Sequence, residues 1–179
     1  MKSLICFFIP FLVISSTPGQ AQVIESKLSG GTSMHGFSIL DNARNTLLSV
    51  RGNGNTGIGT NSPAFKLTLD SDGGILARGT VSTGTTLPSP GNRAVLIWYP
   101  RKAAFRAGYA HSGNWDDTNI GEYSFASGYG SKASGALSSA FGYLTIASGT
   151  RAFAAGNATE ATGTCSTALG ADTRADGTC

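Results

Sequence analysis

Between Gly121 and Cys179 the apolar and polar positions of this chain follow a strict period. Glycine recurs every seven residues, at Gly121, Gly128, Gly135, Gly142, Gly149, Gly156, Gly163, Gly170 and Gly177. Alanine stands two positions ahead of each glycine except the first, where Asn119 takes its place. A short, fixed period of small residues marks stacked copies of one structural unit. A coiled coil is excluded, because it needs large apolar residues at two heptad positions and because one glycine per heptad would cost a helix about 1 kcal/mol each relative to alanine. Short strands, each closed by a glycine turn, fit the pattern and predict an all-β solenoid.

Alternate glycines belong to two kinds of strand, so the true unit is fourteen residues. Side chains alternate between the faces of a strand, which puts Ala and Gly on one side and the residues flanking Ala on the other. In one set the flanks include Phe125, Phe141, Phe153 and Leu169; in the other they include Lys132, Glu160, Arg174 and Asp176. One strand of each coil therefore faces something apolar and the other faces water. The Ala and Gly sides meet inside, and methyl groups bury little area at about 25 cal/mol per Å². A core that thin predicts an obligate oligomer with Phe125, Phe141, Phe153 and Leu169 at its interface.

The half-repeats Ser138-Ser-Ala-Phe-Gly142 and Ser166-Thr-Ala-Leu-Gly170 resemble the S-V-A-I-G repeat of YadA-like trimeric autotransporter adhesin heads. The resemblance covers about the last third of the chain. It implies a left-handed parallel β-roll, assembled as a homotrimer with this strand inward, displayed at the bacterial surface or outer membrane to bind a host cell-surface or extracellular-matrix ligand. Ala152 departs from the family's leading Ser or Thr, and Asn119 from its alanine.

Ahead of the repeats the pattern is less regular. Phe37 to Leu40 and Thr46 to Val50 read as strands around the turn Asp41 to Asn45, and Phe65, Leu67 and Leu69 alternate with Lys66 and Thr68 as a half-buried strand. The segment Gly57-Ile58-Gly59-Thr60-Asn61-Ser62-Pro63-Ala64-Phe65-Lys66-Leu67 resembles a motif of phage tail-fibre-like and secreted surface proteins, where it marks a trimeric fibrous β-module. Gly52, Gly54 and Gly57 formally spell a dinucleotide fingerprint, but Pro63 and the strand pattern after them offer no helix to receive a phosphate. Arg93 to Tyr99 is the most apolar strand, and residues 93–118 read as a cap that covers the unpaired end of the solenoid. The basic trio Arg101, Lys102 and Arg106 reads as a solvated turn beside that cap, with an acidic glycan or phosphate as the competing reading. The sequence thus divides into a signal peptide at 1–21, an irregular β-rich module at 22–92, a cap at 93–118 and head repeats at 119–179, the last expected to continue beyond this sequence.

Composition agrees. The chain has 25 glycines, 13% charged residues and a net charge of +3, which suits a turn-rich exported protein and is no nucleic-acid footprint. Lys2, the apolar run Leu4 to Ile14 and the small-residue site Gly19-Gln20-Ala21 form a secretory signal, with Cys6 inside it. The mature chain keeps Cys165 and Cys179, one coil apart and so about 4.8 Å from each other, which is compatible with an inter-coil disulfide or with two stacked thiols. His35 and His111 lack partners at metal-ligand spacing, and Asp116 and Asp117 lack the further acidic residues that calcium needs. No catalytic motif, metal site or cofactor is implied, so an enzyme is not expected. Two functions compete: a surface adhesin head in which Lys132, Glu160, Arg174 and Asp176 touch ligand, and a structural spacer of a tail-fibre-like protein with a downstream chaperone domain. An ice-binding face, suggested by Thr150, Thr164 and Thr178, is disfavoured by the charges around it.

Overall fold

The computed structural model describes residues 36–70 and 73–178. The expected signal peptide, His35 and Cys179 lie outside the described residues. The chain divides into two compact units between Ile75 and Leu76.

The first unit is a four-stranded sheet in the order β1-β2-β3-β4, formed by β1 (Gly36–Leu40), β2 (Thr46–Arg51), β3 (Thr56–Ile58) and β4 (Leu67–Leu69). Both β1–β2 and β2–β3 are antiparallel, while β3–β4 is parallel. The β1–β2 turn is held by Asp41, whose carboxylate accepts the backbone N–H groups of Ala43 and Asn45 and the Asn45 side-chain amide. The side-chain bond from Asn45 is the main reason the Asp41 carboxyl is held below its usual value. Phe65 is 76% exposed and precedes β4, so the expected strand begins two residues later than its alternation suggested.

The second unit is the solenoid. Each coil contributes one five-residue and one two-residue strand: β7 (Phe125–Tyr129) and β8 (Lys132–Ala133), β9 (Ser139–Tyr143) and β10 (Ile146–Ala147), β11 (Phe153–Asn157) and β12 (Glu160–Ala161), β13 (Thr167–Ala171) and β14 (Arg174–Ala175). The long strands continue a six-stranded sheet that starts with β5 (Arg93–Tyr99) and β6 (Ala104–Ala110), and the short ones form a four-stranded sheet. All neighbours are parallel except β5 and β6. Coils pair in a fourteen-residue register, so that Ala126, Ala140, Ala154 and Ala168 stack. With Ala133, Ala147 and Ala161 from the other sheet they form the core, each at most 3% exposed.

One set of the repeat glycines opens turns, the carbonyls of Gly135, Gly149 and Gly163 accepting the backbone N–H groups of Ser138, Ala152 and Ser166 three residues on; the other set does not. Gly128, Gly142, Gly156 and Gly170 lie within strands, and the turns are made by left-handed residues in two columns: Tyr123, Leu137, Arg151 and Cys165, and Gly130, Leu144, Ala158 and Asp172. An L-residue pays about 1–2 kcal/mol in that conformation. Each of these turns recovers a hydrogen bond from its N–H to the preceding coil, as from Leu137 to the Glu122 carbonyl and from Leu144 to the Tyr129 carbonyl, both 2.8 Å. Glycine is required for another reason. A Cβ on Gly135 would sit 2.0 Å from the Gly149 carbonyl oxygen, and one on Gly142 would sit 2.0 Å from that of Gly156. The leading serine of the repeat also has a specific task. The hydroxyls of Ser124, Ser138 and Ser166 donate to the carbonyls of Gly121, Gly135 and Gly163 at 2.6–2.7 Å, pinning the corner into the long strand.

Two outcomes follow from this packing. Gly149→Ala, whose methyl would lie 2.1 Å from the Gly163 oxygen, should lower stability in thermal unfolding by about 1–3 kcal/mol, while Gly177→Ala, which meets nothing within 4 Å, should not. Ala152→Ser should restore the missing corner bond to Gly149 and raise stability by about 1 kcal/mol, read by chemical denaturation.

Candidate functional site

The N-terminal end of the solenoid is closed by buried polar chemistry. β6 pairs with β7 so that Arg106 occupies the inward column that alanine fills in every later coil. Arg106 is fully buried. Its guanidinium donates to the carbonyls of Phe105, Ser124 and Ala133 and to the Ser124 hydroxyl, at 2.8–3.0 Å. Burial away from water lowers its pKa to about 10, which leaves it charged at neutral pH. Trp115, also fully buried, donates from Nε1 to the Ser131 carbonyl at 2.6 Å, and Asn114 donates to the Gly130 carbonyl at 2.7 Å. Together these groups satisfy the Ala133 carbonyl in β8 and the Gly130 and Ser131 carbonyls just before it, at the end strand of the short-strand sheet.

The basic trio is therefore not a solvated turn. Arg106 is internal, Lys102 donates to the carbonyls of Asp117 and Ile120, and Arg101 donates to the Gly84 carbonyl at 2.8 Å. Asp116 and Asp117 are engaged as well: Asp116 accepts from the Ser89 hydroxyl and Asp117 from the Tyr99 phenol, both 2.6 Å. The Tyr99 hydrogen bond, with Lys102 at 3.6 Å adding to it, holds the Asp117 carboxyl below its usual value. Burial, with the carboxylate as acceptor, raises the Tyr99 phenol.

The outward side of the six-stranded sheet carries Phe105, Phe125, Phe141 and Phe153 as a continuous run, with ring centroids 5.2, 5.1 and 5.7 Å apart. Tyr109, Tyr129 and Tyr143 form a second, flatter stack at 5.0 and 5.1 Å. Leu96 and Trp98 of β5 pair opposite Ala107 and Phe105, which extends the same side. Phe125 and Phe141 are half-buried by their ring neighbours, whereas Leu96 is 73%, Leu169 58% and Tyr143 50% exposed. Sequence reasoning named Phe125, Phe141, Phe153 and Leu169 but passed over Phe105 and the tyrosines. The signal was present in Tyr129 and Tyr143, each directly after a repeat glycine and one coil apart. Tyr109 was harder to place, because β6 precedes β7 by twenty residues instead of fourteen.

On the short-strand sheet Lys132, Ile146, Glu160 and Arg174 stand in one register column. Arg174 pairs with Glu160 at 2.6 Å and with Asp176 at 2.7 Å, and Thr162 donates to Asp176 at 2.5 Å. The Asp176 carboxylate raises the Arg174 guanidinium above its ordinary value and is itself held low by it. Glu160, Arg174 and Asp176 thus form one cluster, while Ile146 separates Lys132 from it. Cys165 occupies a left-handed turn, where its sulfur accepts from Arg151 Nε at 3.4 Å.

The alanine core, the fourteen-residue coils and the strand register define an all-β solenoid. The family model for the YadA head domain repeat, which holds two copies of the repeat, matches residues 120–145, 133–159, 147–173 and 161–178. Residues 120–178 are accordingly a YadA-like head. Neither the search of curated proteins nor that of solved structures gives a match.

The Tyr99–Asp117 bond sets a pH window. A lowered carboxyl stabilises the fold above its unfolded value and loses that contribution as pH falls through the folded one, and a raised phenol loses its contribution as pH rises beyond about 10. Tyr99→Phe should move the Asp117 titration upward in an NMR pH series and narrow the stability difference from the parent at acid pH.

Proposed function

We propose that this chain is the head of a homotrimeric surface adhesin, exported by its N-terminal signal, in which three copies pack the outward side of the six-stranded sheet against one another. The observation that carries the reading is the aromatic side itself, a run of stacked phenylalanines and tyrosines ending in a 58% exposed Leu169, with no covering element among the described residues. Each coil's interior holds only small side chains, two alanines with buried Ser or Thr at the corners, and each buried methyl is worth about 0.8 kcal/mol, so the aromatic side is the larger reserve of apolar surface in the solenoid. The match to YadA head repeats supports the same arrangement.

In this reading the short-strand sheet faces outward and meets a ligand on a host cell or in the extracellular matrix. Three copies of the Glu160, Arg174 and Asp176 cluster, with Lys132 beside it, supply repeated weak contacts that sum to avidity. The head carries out no reaction and needs no cofactor. Its task is attachment, and Cys165 with Cys179 would lock adjacent coils if they bond.

The decisive measurement is mass in solution. The parent protein should run as three chains, and Phe141→Glu combined with Leu169→Glu should shift it to smaller species, whereas Lys132→Glu should not. A stable, folded monomer of the parent would overturn the proposal.

A further inference from the structure

The four-stranded sheet of the first unit has one side made almost wholly of apolar residues. The pairings Phe37↔Val50, Ile39↔Leu48, Leu48↔Ile58, Thr56↔Leu67 and Ile58↔Leu69 set Phe37, Ile39, Leu48, Val50, Ile58, Leu67 and Leu69 on that side, with Thr46 and Thr56 as its polar members. Phe37 is 50%, Ile39 45%, Ile58 48% and Leu67 58% exposed. No large apolar side chain of this unit is buried among the described residues.

The opposite side is the one the chain covers for itself. Ser49, fully buried, donates to the Thr60 carbonyl at 2.8 Å, Arg51 donates to the Asn61 carbonyl, and a Cβ on Gly57 would strike Thr60. The connection between β3 and β4 therefore packs over the polar side, and no element among the described residues covers the apolar side. This is the reverse of the usual arrangement, in which a two-layer fold buries its apolar side and solvates the other.

The geometry points to the apolar side of this sheet as a second self-association surface, occupied in the assembled protein by the same side of the other copies of this chain. This inference rests on the homotrimer proposed above. Each N-terminal sheet is covalently joined to a head, so a trimer of heads gathers three such sheets at an effective concentration in the mM range. No charge interrupts the side, so like meets like without an unpaired ion, as a symmetric contact requires. The area also suffices. With large apolar side chains at about 150–250 Å² each, the open side presents on the order of 400–500 Å² per copy. That is near the upper limit for a lone patch on a monomer, and two such sides together approach the roughly 1,000 Å² expected of a specific interface.

The test uses the full chain with Cys6→Ser, Cys165→Ser and Cys179→Ser, so that introduced thiols report alone. Ile58→Cys and Phe37→Cys should each form inter-chain disulfides under mild oxidation, seen as cross-linked dimers on a non-reducing gel, while Ser38→Cys on the opposite side should remain single-chain. A three-chain particle by mass in which neither Ile58→Cys nor Phe37→Cys cross-links would overturn this inference and leave the head trimer standing. If those thiols were also shielded from a soluble thiol reagent, another segment of the same chain would be the occupant, and the inference would equally fall. A monomer by mass would overturn the trimer, and this surface with it.

Discussion

The spacing between successive coils governs this molecule. Parallel strands one coil apart bring backbone against backbone so closely that a carbonyl oxygen lies 1.8–2.3 Å from where a Cβ would stand on Gly108, Gly128, Gly142, Gly149 or Gly156. Only glycine fits there, and along the repeats only small side chains, alanine with buried Ser and Thr at the corners, fill the narrow interior between the two sheets. Everything else about the solenoid adapts to that approach. The chain turns on residues that pay a conformational cost, because their N–H groups are needed to bond the neighbouring coil.

A core restricted to small side chains has two consequences that pull in opposite directions. It makes the coils uniform and stackable, and it leaves the large side chains nowhere to go but outward. The phenylalanines and tyrosines answer by stacking on each other along the sheet, which shields ring faces while leaving the edges and the last members of each row exposed. The first unit meets the same shortage of interior by a different route, since its crossover packs on the polar side of the sheet. Both units present apolar surface that the described residues leave exposed.

The end of the solenoid shows how an edge is closed when no further coil precedes it. Arg106 replaces the alanine of the inward column and spreads its donors over carbonyls of both sheets, while Trp115 fills the volume and bonds Ser131. A cation without a carboxylate partner is an unusual interior group. It is tolerated because its hydrogen bonds to carbonyls replace much of the water it loses.

The repeat region was legible from the chain alone because its period is imposed by backbone spacing, and backbone spacing allows one residue type at each crowded site. The fourteen-residue unit, the inward alanines, the outward phenylalanines and the two strands around Asp41 to Asn45 could all be read in that way. What the glycines do could not, since a turn and a close approach select the same residue and only coordinates separate them. Nor could the burial of Arg106, the engagement of Lys102, or the gathering of Glu160, Arg174 and Asp176 without Lys132. Those outcomes depend on which elements meet across twenty-residue and longer separations, where no local pattern records the neighbour, and tertiary packing alone decided them.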